Sequence, residues 1–253
     1  MSENSLVGDI FNKEMKKALL TTENHIFVFI FMMISLNISA QEEKRFTVSP
    51  GKSITEVLSA GEIFLYPEFV KGKAVLNSGS VHEEKLNYNI ILGEIQFIGS
   101  GKDTLTVSDP GSISYFVLAA DTFYFNNGYY KLIKNDRNIK LLSKHYTKLV
   151  DVRKQSGYGT TSSTSSITGY SSIYSVNDQE LYKLKASDEM LYSIRTEYYF
   201  RNLNDEIVPA TRKSVLKMFP DQADKIKLFI KDQAIRFTNK EDLIRLADFI
   251  RIQ

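Results

Sequence analysis

"YFNNGYYKLI", residues 124 to 133, decides the fold class. Two runs of aromatic and aliphatic residues flank Asn127-Gly128, a pair that tolerates the positive φ angles of a tight type I′ turn, so the stretch predicts a β-hairpin. Its surroundings repeat the pattern. "KAVLN", "EEKLNYNI", "EIQFI", "DTLTV", "ISYFVL" and "DTFYF" precede it and "NIKLLSKHYTKLVDV" follows. Turn signals recur about every 8 to 12 residues, the spacing of an antiparallel sandwich or barrel. "IFLYPEFV" (63 to 70) reads as the first such run, after a mixed lead-in from Phe46 to Gly61. "LNYN" alternates Leu86 and Tyr88 with two asparagines, which predicts one apolar face turned inward and one polar face in water.

The period changes in the last third. After the aromatic strand "LYSIRTEYYF" (191 to 200), "TRKSVLKMF" predicts a short helix, and Pro220 ends it and restarts the chain at "PDQADKIKLFIKDQAI". Ala223, Ile226, Phe229 and Ile230 fall on one face. Thr238 and Glu241 stand at the two positions of a capping box before a last helix whose stripe is Leu243, Leu246, Ala247 and Ile250. The reading is α+β: a mainly antiparallel β meander, closed as a barrel or stacked as a sandwich, with two to three short amphipathic C-terminal helices packed on it. It divides the chain into a leader at 1–40, a β-rich domain at 41–202 and a helical region at 203–253.

The leader is read from "HIFVFIFMMISLNISAQ", His25 to Gln41. Its unbroken apolar part, Ile26 to Leu36, is well short of the ~20 residues that cross a bilayer as a helix. Met15 is followed by Lys16 and Lys17, so a chain started there has the basic, apolar and polar regions of a signal peptide in order, with Ala40 beside the scissile bond and Gln41 as the mature terminus. The expectation is an exported protein with no stable transmembrane anchor after cleavage. No Cys follows the apolar run, so it is not a lipoprotein.

With 43% hydrophobic residues, 25% charged residues and a net charge of +2, the composition is that of an ordinary globular domain. Such a balance offers no basic field for nucleic acid. Cys is absent, so packing alone must hold the fold.

"GYGTTSSTSSITGYSS", residues 157 to 172, brings little apolar surface to a core. Tyr158 and Tyr170 flank it, and tyrosines among Ser and Gly are the mixture of binding loops, so these two are the candidate binding residues. A solvated loop or long hairpin tip is the plainer alternative.

The succession "FLYPEFVKGKAVLNSG", "LNYNIILGEIQFI", "GYGTTSSTSSITGYSS", "VLKMFPDQADKIKLFIKDQAIRF" and "KEDLIRLADF" resembles an uncharacterised family of secreted Bacteroidetes proteins, over nearly all of the mature chain. The resemblance implies an envelope or secreted location. It implies no active site.

Motifs for chemistry are sparse. His82 and His145 lie far apart, neither has the i, i+4 companion of a zinc helix, and both read as ordinary surface or strand histidines. "GSGKDTLTV" lacks phosphate-loop spacing and is followed by a strand, so Gly99 to Lys102 reads as a hairpin turn. The acidic pairs Glu83-Glu84, Asp188-Glu189, Asp205-Glu206 and Glu241-Asp242 read as turn and helix-start charges. No metal site and no cofactor is expected. The functional expectation is a non-enzymatic binding or structural protein with a protein or surface partner in the envelope. One alternative is a glycan- or small-molecule-binding β domain, with a barrel mouth or sheet face lined by tyrosines. The other is a hydrolase with an unrecognised carboxylate site.

Overall fold

The computed structural model describes residues 44–155, 161–163 and 188–252. Among them twelve strands form one sheet in which every neighbour is antiparallel. They are β1 (Lys44–Val48), β2 (Val70–Leu76), β3 (Val81–Asn89), β4 (Glu94–Ile98), β5 (Thr104–Thr106), β6 (Ile113–Leu118), β7 (Asp121–Phe125), β8 (Tyr129–Asn135), β9 (Lys140–Gln155), β10 (Thr161–Ser163), β11 (Glu189–Arg201) and β12 (Ile207–Pro209). The spatial order is β1-β11-β9-β8-β7-β6-β2-β3-β4-β5, with β10 beside β9 and β12 beside β11. Helical turns α1 (Ile54–Val57) and α2 (Ala60–Ile63) follow β1, and α3 (Arg212–Met218), α4 (Ala223–Asp232) and α5 (Lys240–Ile252) end the chain. The α+β class, the meander and the C-terminal helices agree with the sequence reading.

The sheet is open, because its end strands β1 and β5 do not pair with each other, but it is strongly curled. Five neighbouring strands ~4.8 Å apart would hold β3 and β9 ~24 Å from each other if flat. Instead the Tyr88 hydroxyl on β3 donates to the His145 carbonyl on β9 at 3.3 Å. Tyr88 therefore crosses a filled interior, stacked on Phe123 at 5.2 Å and near Tyr129, which itself meets Phe116 and Phe125 edge-on. At one end α1, α2 and the β3–β4 turn residues Ile91 and Leu92 pack with Phe46, Val48 and Tyr192, so side chains join parts of the sheet that hydrogen bonds do not. Around Leu141 and Phe200, α3 to α5 cover the same face, with Leu243, Leu246, Ala247 and Ile250 all fully buried.

Several local expectations change. "KRFTV", which overlaps the start of the mixed lead-in, is a strand whose partner β11 comes late in the chain. Residues 64–69 do not form a ladder apart from a single Phe64–Asn89 bridge. Pro67 lacks a donor there, and Asn87 serves the loop instead: its Oδ1 accepts from Tyr66 N at 3.2 Å, while its Nδ2 donates to Tyr66 O and Glu68 O. Asn89 Oδ1 likewise accepts from Ile91 N and Leu92 N at 3.0 Å. The polar face of "LNYN" is thus buried, with Asn87 and Asn89 each 1% exposed, because loop backbones rather than water satisfy it. The hairpin at Asn127-Gly128 has both residues at positive φ, 48° and 129°, but pairs Phe125 with Tyr129, so three residues lie in the loop. The last helix is capped one residue later than expected: Asn239 Oδ1 accepts from Asp242 N at 2.9 Å, and Asp242 turns to Arg236 and Arg245.

Asn87→Ala is expected to cost about 2 kcal/mol, since it removes three bonds to part-buried loop groups at once. Urea denaturation checks this, and a loss below about 1 kcal/mol would show that the 64–69 loop rehydrates freely.

Candidate functional site

β5 lies at the sheet edge beyond β4, whereas β6 lies next to β2. The connection from Val107 to Ser112 must therefore pass β4, β3 and β2. It is held near the β2–β3 turn by Asn77, whose N–H donates to Ser112 O at 2.9 Å and whose side-chain amide donates to Gly111 O at 3.0 Å. Beside this strap lies a groove of about 330 Å³, a volume in the range of small-ligand sites.

The floor follows from strand register. Antiparallel partners share a face, so Ala74, His82 and Phe116 align across β2, β3 and β6, and Leu86 aligns with Phe97. The result is an apolar floor at the mouth of the curled interior, with Val107 and Ile113 beside it and His82, Glu84 and Asp109 supplying polar groups. Gly72 shapes this region: a Cβ there would lie 2.6 Å from Val117 O and 2.9 Å from Leu86 Cδ1. His82 and Glu84 are exposed. Glu84 Oε1 accepts its neighbour's N–H, Lys85 N, at 2.8 Å, which holds the carboxylate close to the strand. An apolar body with a cationic or hydrogen-bonding head suits this chemistry.

The interior behind the groove is polar in places but electrically quiet. His145 Nδ1 meets Thr196 Oγ1 at 2.9 Å, and burial, with Lys131 nearby, pushes the imidazole pKa down to about 4. Burial raises the Tyr88 and Tyr129 hydroxyls above the usual phenol range. These groups are neutral near pH 7, which suits a packed interior. Closer to the edge, Asp121 Oδ2 accepts from the Tyr66 hydroxyl at 2.5 Å and from Lys131 Nζ at 2.6 Å.

Of the residues singled out from sequence, Tyr158, Tyr170, Ala40 and Gln41 lie outside the described residues. His82 sits in the groove and His145 in the interior, so the structure does not bring them together. Glu83 and Glu84 are adjacent in a strand and point to opposite faces. Glu189 pairs with Arg153, Asp205 with Arg201, and Asp242 with Arg236 and Arg245. Among the described residues no cluster of three or more His, Asp or Glu could hold a metal ion, and no helix is long and apolar enough to cross a membrane. Sequence reasoning missed the groove because its walls come from separated strands. The alternation His82, Glu84, Leu86 was the one signal visible in advance.

The chain is a curled antiparallel sheet with an open groove lined on one side by the strap. No family model, no curated protein and no solved structure matches the chain.

His145 gives a pH prediction. Its folded pKa lies below the ordinary 6.5, so the unfolded chain binds the proton more readily. The stability this residue contributes is full above pH ~6.5 and is lost as pH falls toward 4, by on the order of 2 kcal/mol. Urea titrations at pH 7.5, 5.5 and 4.5 check it: His145→Gln should show a flatter acid limb than the wild type.

Proposed function

We propose that this chain is an exported, non-enzymatic binding protein of the cell envelope, and that its groove receives an apolar group carrying a cationic head. The groove beside the strap is the observation that carries the binding reading, since an apolar floor with carboxylates at its margin favours amphiphilic cations over anions. Its occupant is a small molecule or the side chain of a partner protein. Export rests on the run from His25 to Gln41, with Ala40 at the cleavage position. The resemblance to secreted Bacteroidetes proteins supports the same location.

Octylammonium below its micelle concentration should raise the melting temperature by about 2 °C or more, and octyl sulfate should not. Ala74→Phe, which fills the floor, should abolish the shift. Equal shifts with both chains, or a shift unchanged by Ala74→Phe, would refute the groove assignment. Fractionation of native cells with mass spectrometry of the N-terminal peptide tests export: a terminus at Gln41 outside the cytoplasm is expected, and an intact apolar run in the inner membrane would overturn it.

A further inference from the structure

The opposite face of the sheet has a different chemistry. On β9 the side chains of Leu141, His145 and Thr147 face the interior, so Lys140, Lys144, Tyr146 and Lys148 point outward. Register then places Arg195, Glu197, Tyr199 and Arg201 of β11 on that outer face, opposite Tyr146, Lys144, Leu142 and Lys140. Tyr130 and Tyr124 continue the row onto β8 and β7.

This face is concentrated in positive charge. Between Lys140 and Lys148 on β9 and the facing stretch Ser193–Arg201 on β11, the outward positions carry Lys140, Lys144, Lys148, Arg195 and Arg201 against Glu197 alone. The whole chain has a net charge of only +2. Asp205, from the turn after β11, offsets part of Arg201 at 2.8 Å. Glu197 is engaged in holding rings: it accepts from the Tyr146 hydroxyl and from the Tyr199 hydroxyl, both at 2.8 Å.

The cations and rings form one surface. The Arg201 guanidinium lies 4.3 Å from the Tyr124 ring centre, Lys140 Nζ lies 5.4 Å from the same ring, and Lys144 Nζ lies 5.0 Å from Tyr130. Tyr130 and Tyr199 meet edge-to-face at 5.0 Å. Lys140, Lys144 and Arg201 rest beside ring faces, with Tyr130 buried beneath Lys144, and the tyrosines are fixed by neighbours, so little entropy is lost when a ligand lies over this face. Along β9 the lysines recur every four residues, about 13 Å apart.

We propose that this outer face binds an acidic polysaccharide, a chain of carboxylated sugars laid across β7, β8, β9 and β11. Carboxylates complement Lys140, Lys144, Lys148 and Arg195, while Arg201, largely buried, supports the Tyr124 ring from below, and the C–H faces of the sugar rings complement Tyr124, Tyr146 and Tyr199. An extended ligand fits a surface built as a row rather than a cavity. The site is separate from the groove, and each can be disabled alone.

Binding of the full chain to polygalacturonate, measured by isothermal titration calorimetry, tests this, with uncharged dextran, single-stranded DNA and phosphatidylglycerol vesicles alongside. Polygalacturonate is expected to bind, dextran is not, and the affinity should fall as salt rises from about 50 to 300 mM. Lys140→Glu with Lys148→Glu should weaken binding about tenfold or more. Tyr199→Phe should leave it near the wild-type value, while Tyr199→Ala should weaken it about fivefold at unchanged charge. Ala74→Phe should bind polygalacturonate like the wild type, which separates failure of this site from failure of the groove. No binding to polygalacturonate, binding left unchanged by the charge reversals, or equal or tighter binding to DNA or vesicles would overturn the proposal. So would a Tyr199→Ala variant that melts and binds like the wild type.

Discussion

A tyrosine hydroxyl that finds its acceptor five strands away is the constraint on which the rest of this structure depends. Tyr88 is 1% exposed, and a phenol buried without a partner is costly. Its bond to the His145 carbonyl holds β3 against β9 and commits the intervening strands to a tight curl. The curl makes two unlike faces. Inside, rings pack on one another and burial keeps Tyr88, Tyr129 and His145 neutral; outside, cations rest on tyrosines.

The two buried asparagines of β3 complete that constraint from the other side of the strand. Asn87 ties down the 64–69 loop and Asn89 the 90–93 turn. Ile91 and Leu92 can then reach β1 and β11, where they pack with Phe46 and Tyr192. An open sheet is stabilised here as a barrel would be, but by side chains instead of a closing ladder. Openness also has a structural consequence: the strap from β5 to β6 crosses the mouth of the interior and borders the groove there.

Much of the fold was legible in the sequence where local chemistry decides conformation. "EIQFI" is β4, residue for residue, and "ISYFVL" is β6, because short apolar runs between turn residues have few other uses in so β-rich a chain. Pro220 restarts the helical segment as expected, and the stripe Leu243, Leu246, Ala247, Ile250 is buried. What misled was polarity: asparagine reads as solvent-facing, yet at Asn87 and Asn89 the solvent is replaced by backbone. The cap at Asn239 was misplaced by one residue because Thr238 and Asn239 are both good cap residues, and only the path of the preceding chain selects between them.

By itself the sequence determined the elements: antiparallel strands, a Gly-bearing hairpin turn and amphipathic helices, each set by periodicities of two or 3.6 residues acting over short distances. The tertiary structure decided everything that depends on partners distant in the chain. β1 needs β11, His82 joins the groove through Phe116 and Val107, and the cationic row on β9 becomes a surface only when register places Arg195, Tyr199 and Arg201 beside it. Strand pairing and curl arise from contacts between segments far apart in sequence, and no local pattern records which segments those are.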